Sequence, residues 1–531
     1  METSPWASQA LTAVQPRHIG ALPVLLPILD ALAVRDRTNA LVPSQAEIDL
    51  GQMLVLLILN RLLAPQPLYA VQDWLPTTVL PQVLQISPAQ CYDQRLGRAL
   101  DRLYPHLGEL WAQIMCQAIQ VYDLDLTVLH WDLTSIYFEG AYTDSQLVAY
   151  GYSRDHRPDA KQVTLQVDVT HQDAVPVLYT LLPGNAADIS RPLPHLQALL
   201  HLLARPELAD RRLRPILVSD CKMITPEALV ACHRTQLGYV GPLPPGKATE
   251  TLLGSVTAEE LRAHPLAYRP ARVSPSDPRF QPYQGVWRPY VVCHDQQQVC
   301  DRALIIWSAG KQRLDEQKRK TYLKRLLNGM AAIQHKLNTR RYKQRAYVDG
   351  RLAALRHSNP AQDLVESQLE GDDGQLRLTF RVNRARLAAA QALDGRYVLV
   401  SNAEHLDADQ VLQLFKGQDG VEKQFRAVKG PLRLHPLFVR SDARIEGLVL
   451  VTVLAVVVRA ILTRLCRQQG LTLAVDQVLA AFASLQAVDL IWANGRVERR
   501  AAPMTPEQAH VLQTLHWPLP EAYAALPALV R

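Results

Sequence analysis

The hydrophobic period changes partway along the chain, and this change limits the fold more than any other feature. Up to residue 118 apolar residues recur every three or four positions, along Ile19 to Leu32, Ser44 to Leu63 and Gln94 to Tyr122, with Pro65, Pro67 and Pro81 between helical segments. This predicts an all-helical N-terminal domain over residues 1–118. From Leu126 the period drops to two. Leu126 to Asp132 is a short β-branched run, Gln162 to Val169 alternates strictly, and Val175 to Leu182 is closed by Pro183-Gly184-Asn185, which predicts hairpin strands of one sheet. A helix over Ser190 to Leu203, a buried strand over Pro215 to Ser219 and a helix opened by Thr225-Pro226-Glu227 follow, with Thr as N-cap and Pro at the first helical position. Helices mixed with strands in this way give an α/β class.

Residues 245–395 read as an insertion. It begins Pro-rich and carries strand patterns at Val286 to Val292, Ala303 to Trp307 and Gln375 to Val382, with Pro289 marking a sheet edge. A basic helical stretch runs from Lys311 to about Leu355. The sheet resumes near Tyr397 with YVLVSN, so 119–244 and 396–470 are expected to be two halves of one core, followed by a helical tail over 471–531. The apolar run Leu448 to Val458 spans 11 residues and stops at Arg459, well short of the ~20 needed for a membrane span, so a buried helix is expected. With 48% apolar and 20% charged residues the chain can bury a sizeable core, which excludes disordered and fibrous classes. Seven irregularly spaced cysteines, and a start (METSPWASQALTAVQP) without the basic-then-apolar order of a secretory signal, point to a reducing, cytoplasmic setting. Cys293-His294 with Cys300 lacks a fourth zinc ligand and reads as incidental.

Charge is localised. The net charge is +7, while Lys311 to Arg345 holds twelve Lys or Arg against two acids, +10, leaving 7 − 10 = −3 for the rest. One stretch therefore carries the basic character, which fits a polyanion such as DNA and also fits a solvated helical face.

Two aspartates stand where predicted strands meet loops, Asp132 in LHWDLTS and Asp220 in ILVSDCKMIT. If both strands are parallel neighbours in a mixed sheet, their carboxylates converge at one edge, where open α/β sheets place their sites. Two such carboxylates stay ionised together only around a cation, and Mg²⁺ suits oxygen ligands. The alternative for either aspartate alone is a strand-end residue capping a local turn, which is the commoner arrangement. A third acid, Glu422, lies in FKGQDGVEKQFRAVKGP. Asp419-x-x-Glu422 fits a capping box, and Glu422 with Arg426 fits an ordinary i,i+4 pair. Lys429, before Gly430, suits a helix C-terminus. Against these, Glu422, Phe425 and Lys429 at i, i+3 and i+7 share one helix face, an arrangement that could hold a metal and a phosphate.

Asp132, Asp220 and Glu422, with Phe425 and Lys429, resemble the DDE triad and Y-x2-R-x3-E-x6-K signature of bacterial insertion-sequence transposases. Within these the chain resembles the superfamily named after insertion sequence four, in its sixteen-thirty-four branch. GYSRDHRPDAKQ (151–162), LPGNAAD (182–188), KGPLRLHPLFVRSDARIEG (429–447), NRLLAPQPLYAVQDW (60–74) and DQRLGRALDRL (93–103) carry the likeness along nearly the whole chain. It implies a ribonuclease-H-like catalytic core interrupted by a β-rich insertion, and the intervals agree: 220 − 132 = 88 and 422 − 220 = 202. It also implies two-metal phosphoryl transfer with Mg²⁺ (Mn²⁺ substituting), the ions about 3.5–4 Å apart. Asp132 would bridge both ions, Asp220 would hold one and Glu422 the other, and the DNA ends would be cut and their 3′-hydroxyls joined to target DNA.

The partners so implied are double-stranded DNA, both terminal inverted repeats and target, and a second copy of the chain in the DNA complex. Location at the bacterial nucleoid follows. End recognition is expected from the N-terminal helices and the basic stretch, with Lys429 and Arg426 near the cut and Arg154, Arg157 and Lys161 near DNA; a plain surface turn, its charges offset by Asp155 and Asp159, is the alternative for these last three. The signature departs at two positions. Its Tyr falls on Phe415, which loses the hydroxyl, and its Arg on Gln418, which loses the charge, so contacts to phosphates flanking the cut are expected to be weaker. A catalytically inactive DNA-binding relative, domesticated or decayed, and a nuclease without strand transfer are the alternatives.

Overall fold

A computed structural model describes residues 10–524 apart from 152–156, 187–191, 212, 271–272, 275–276, 278–279, 431 and 433–438. The chain forms two compact units, Met1–Ser219 with Gly417–Arg531, and Asp220–Lys416.

The first unit opens with a strand, β1 (Leu11–His18), where an all-helical segment was expected. Its inward positions are Ala13, Gln15 and Arg17, while Leu11 and Val14 are exposed, so no apolar alternation marks it. Helices follow at Leu22–Ala31, Val34–Leu41, Leu50–Leu63, Leu68–Trp74, Asp93–Leu103 and Leu107–Val121. Asp49 caps the Leu50–Leu63 helix through a reciprocal capping box with Gln52. The Gln94 to Tyr122 pattern breaks at a short 3₁₀ turn, Tyr104–His106, because Pro105 cannot continue an α-helix.

Three antiparallel strands come next, β2 (Val128–Phe138), β3 (Lys161–Thr170) and β4 (Pro176–Pro183), and then β5 (Ile216–Val218), which lies parallel to β2. The order is β4-β3-β2-β5, a mixed sheet as the alternating segments predicted. Two motif glycines lock its far end. A Cβ on Gly151 would sit 1.8 Å from the Gly184 carbonyl, and one on Gly184 would sit 1.9 Å from the Gln162 carbonyl, so backbone packs on backbone there.

The second unit has a four-stranded antiparallel arrangement, built from β6 (Gly238–Pro242), β7 (Gln284–His294), β8 (Gln297–Trp307) and, after a hairpin β9 (Val365–Glu370) and β10 (Arg377–Val382), β11 (Arg396–Ser401). The order β6-β11-β8-β7 leaves β7 at the edge, where Pro289 costs no ladder bond. Asp295 and Gln296, at φ 45° and 61°, make the two-residue turn between β7 and β8. The basic stretch forms two helices, Ala309–Lys336 and Arg345–His357.

The chain then returns to the first unit. The helix Asp442–Gln468 is long and apolar enough to cross a membrane, but 94% of its most apolar window is buried in the protein. It is apolar on every side, so it needs partners all round. It packs on the helices Leu22–Ala31, Leu50–Leu63, Asp93–Leu103 and Leu107–Val121 and on β4. The N-terminal helices therefore share their core with the sheet unit through this helix. The expected helical tail instead contains a hairpin, β12 (Gln486–Trp492) and β13 (Val497–Ala501), turned at Asn494-Gly495 with Gly495 at φ +81°. β12 also pairs with β1, and Asp489, 4% exposed, joins all three strands by accepting from Arg17 (2.9 Å) and Arg499 (2.5 Å).

Candidate active site

Asp132 stands on β2 just where a partner strand stops. The parallel ladder with β5 runs from Val128 and Ile216 to His130 and Val218, and β2 continues beside β3 alone. The pairing offset is 216 − 128 = 88, the interval that separates Asp132 from Asp220. Asp132 is half-buried and accepts from the Leu133 amide (2.7 Å). Its neighbour His130 is fully buried, with its Nε2 2.7 Å from Nδ1 of His171. Burial is also what holds the His171 imidazole below its usual pKa, although Asp125 pulls the other way.

Asp220 opens the second unit. Its Oδ1 accepts from the Lys222 amide (2.9 Å) and its Oδ2 lies 3.8 Å from Lys222 Nζ. An i to i+2 bond of this kind caps a turn, so the local explanation is realised, while 32% of the side chain stays exposed. The thiol of Cys221 is pushed up by burial and by the Asp220 charge.

Glu422 belongs to the helix Asp419–Lys429 of the first unit. The capping box is absent: the N-cap is Gln418 with no side-chain cap bond, which makes Asp419 the first helical residue and puts Glu422 one position too late. Among the described residues Glu422 is in no ion pair, so Arg426 does not hold it either. Val421, Phe425 and Val428 are buried and pack the helix on β2 and β3. Glu422 is exposed and Lys429 half-exposed on a neighbouring stripe, about 10 Å apart along the axis. Both local explanations for Glu422 thus fail, and its helix lies on the strand that carries Asp132.

The other face of this helix helps line a cleft of about 600 Å³ that sequence reasoning missed. Lys423 and Arg426 line it with His171, Arg459 and Arg467. Arg467 pairs with Asp173 (2.6 Å) and Arg459 with Asp476 (2.6 Å). Only the clustering of Lys423 and Arg426 hinted at it, because its other cations come from remote segments.

The remaining candidates divide. Arg154 lies outside the described residues. Arg157 forks onto Asp159 (2.9 Å) and stacks over Tyr137, and Lys161 donates to the carbonyls of Ala141 (2.6 Å) and Tyr142 (3.0 Å), so both serve the local turn. In the second unit Phe415 lies 6.4 Å from the Tyr397 ring, beside Lys416, whose ammonium is pushed below its usual range by burial. The Nε2 of Gln418 is buried without a hydrogen-bond partner among the described residues. Cys293 and Cys300 are exposed, and among the described residues no three His, Cys, Asp or Glu side chains gather as a metal-holding group.

Residues 14–116 match a family described as a domain of unknown function, DUF4277. No curated protein matches the chain. Among solved structures it is similar to a piggyBac transposase synaptic complex with hairpin DNA, at 9% identity over 89% of this chain and 82% of that one, with a TM-score of 0.40. It is also similar to a Mos1 mariner paired-end complex with Mn, at 18% identity over 31% of this chain and 53% of that one, with a TM-score of 0.16. A pre-cleavage Mos1 transpososome gives 16% identity over 35% and 59%, with a TM-score of 0.17.

Proposed function

We propose that this chain is a DDE transposase of a bacterial insertion sequence, which cuts DNA at the element's ends and joins the 3′-hydroxyls to target DNA. One observation supports the reading: β2 and β5 pair in parallel at an offset of 88, the interval that separates Asp132 from Asp220, as two strand-end carboxylates meeting at one sheet edge would require. The strand order, three antiparallel strands and a fourth parallel to the first, supports a ribonuclease-H-like core. The exposed Glu422, which among the described residues neither a cap nor an ion pair explains, would be the third acid.

The donor set fits magnesium, which prefers hard carboxylate oxygens and retains waters. When bound, the metal supplies charge neutralisation at the scissile phosphate and activation of the attacking hydroxyl. Asp132 and Asp220 would hold it from the strand ends, and Glu422 would join them with DNA in place. Lys429, on the stripe beside Glu422, holds a backbone phosphate as a point charge. Two copies bring two DNA ends together.

The test uses a supercoiled plasmid carrying the coding sequence with its flanking DNA. Wild type with Mg²⁺ is expected to give breaks at the flanks and joined products, and Asp132→Ala neither. A second reading, an inactive DNA-binding relative, is favoured by Phe415 and Gln418 in the signature. Equal DNA binding by both proteins with no cutting by either would establish it.

A further inference from the structure

The helical hairpin of the second unit exposes a row of cations along one face. Its two helices run antiparallel: Gly329 meets Leu355 where a Cβ would come within 2.7 Å, and Asn359 donates to the Tyr322 carbonyl (3.0 Å). Leu326, Met330, Ile333, Val348 and Leu352 form a small core with Val365, Leu376 and Leu378. About 100° round the helix Ala309–Lys336 from that core lies a second stripe, Lys318, Arg325 and Lys336, at i, i+7 and i+18. All three are exposed, and among the described residues none is in an ion pair. The stripe is ~27 Å long at 1.5 Å per residue, and it runs into a turn that adds exposed Arg340 and Arg341.

That turn is fixed. Asn338 and Arg340 hold left-handed backbone at φ 62° and 43°, a conformation that persists only where the surroundings impose it. The Asn338 side chain both accepts from the Leu376 amide (2.7 Å) and donates to its carbonyl (3.0 Å), the Gly374 amide donates to the Lys343 carbonyl (2.8 Å), and the Arg345 guanidinium donates to Gly371 (2.8 Å) and Leu369 (3.0 Å). Of the acids near the turn, Asp373 accepts from the Arg345 amide (2.8 Å), Asp349 lies 3.8 Å from Arg345, and Asp372 is exposed.

We propose that Lys318, Arg325, Lys336, Arg340 and Arg341 form a rigid track for backbone phosphates of duplex DNA. At about 3.4 Å of helix axis per base pair, the stripe spans about eight base pairs and meets phosphates where the backbone crosses it. The track rests on the DNA reading above and assigns that binding to the helical hairpin of the second unit. Contacts to phosphates carry no sequence information, so binding through this track is sequence-independent.

The test measures binding of the full chain to duplexes of unrelated sequence across salt concentrations. Each lost phosphate contact lowers the slope of log K against log[salt] by about 0.9. Arg325→Gln/Arg340→Gln/Arg341→Gln is expected to lower it by two to three on every sequence and to weaken binding at least tenfold. The triple Lys variant retains the slope, and unchanged thermal unfolding excludes misfolding. A wild-type slope in the Gln variant overturns the track alone. Failure of wild type to bind DNA at low salt overturns the DNA reading with it.

Discussion

Replacing Glu422 with Gln should separate catalysis from stability. Glu422 is exposed, caps no helix end and, among the described residues, pairs with no cation. Gln has nearly the same helix propensity, and the charge lost beside the helix N-terminus contributes ~0.3–1 kcal/mol at most. A change of ~0.5 kcal/mol in a unit this large moves the melting point by under about 2 °C. The same substitution removes one of the three acids proposed to hold the metal. If the third acid contributes ~4 kcal/mol to the transition state, cleavage falls ~10³-fold. The assay pairs Mg²⁺-dependent plasmid cleavage with a thermal melt of the same preparation, and Glu422→Asp should lie between the two extremes in rate. Cleavage within threefold of wild type would refute the catalytic assignment. A melting point lowered by more than about 4 °C would show that the residue is structural after all, since a capping role is worth ~0.5–2 kcal/mol.

Three further outcomes follow from the fold. Asp489→Ala strands Arg499, whose side chain is 5% exposed, and also releases Arg17; leaving such a charge buried costs ~3–5 kcal/mol, so β1 should lose amide protection in hydrogen exchange, and unchanged protection would sink the account. Gly184→Ala puts a methyl 1.9 Å from a backbone carbonyl that cannot move aside, and should cost well over 1 kcal/mol by thermal melt. Glu446 is held above its usual pKa by burial and then by the Asp442 charge. The folded state therefore keeps this proton longer than the unfolded chain, and stability declines as pH rises from about 4.5 through the folded value. Glu446→Gln should raise the melting point at pH 7 and leave it nearly unchanged at pH 4; equal gains at both would refute the sign.

What the sequence disclosed follows the strength of local signals. Strand β3 alternates, β2 and β4 carry short apolar runs, and the helix Asp442–Gln468 contains the apolar run Leu448 to Val458, so all were legible. β1 was not: its inward side chains include Gln15 and Arg17, and the partner that makes burying them affordable, Asp489, lies 472 residues away. No window contains both halves of that pair. The turn at Asn494-Gly495 was readable by the hairpin rule, yet the flanking Val497 to Ala501 is mostly charged and carries no apolar alternation to mark a strand. The site shows the same division. An offset of 88 between two aspartates is only a number until β2 and β5 pair at that offset. Glu422 looked like a capping residue because Asp419-x-x-Glu422 has the right spacing, and a spacing rule cannot see that the helix begins at Asp419 rather than after it. One residue of register turns an unremarkable cap into an exposed carboxylate with no local partner among the described residues, and a carboxylate of that kind, on a helix packed against the strand bearing Asp132, is what a third metal ligand would look like before its substrate arrives.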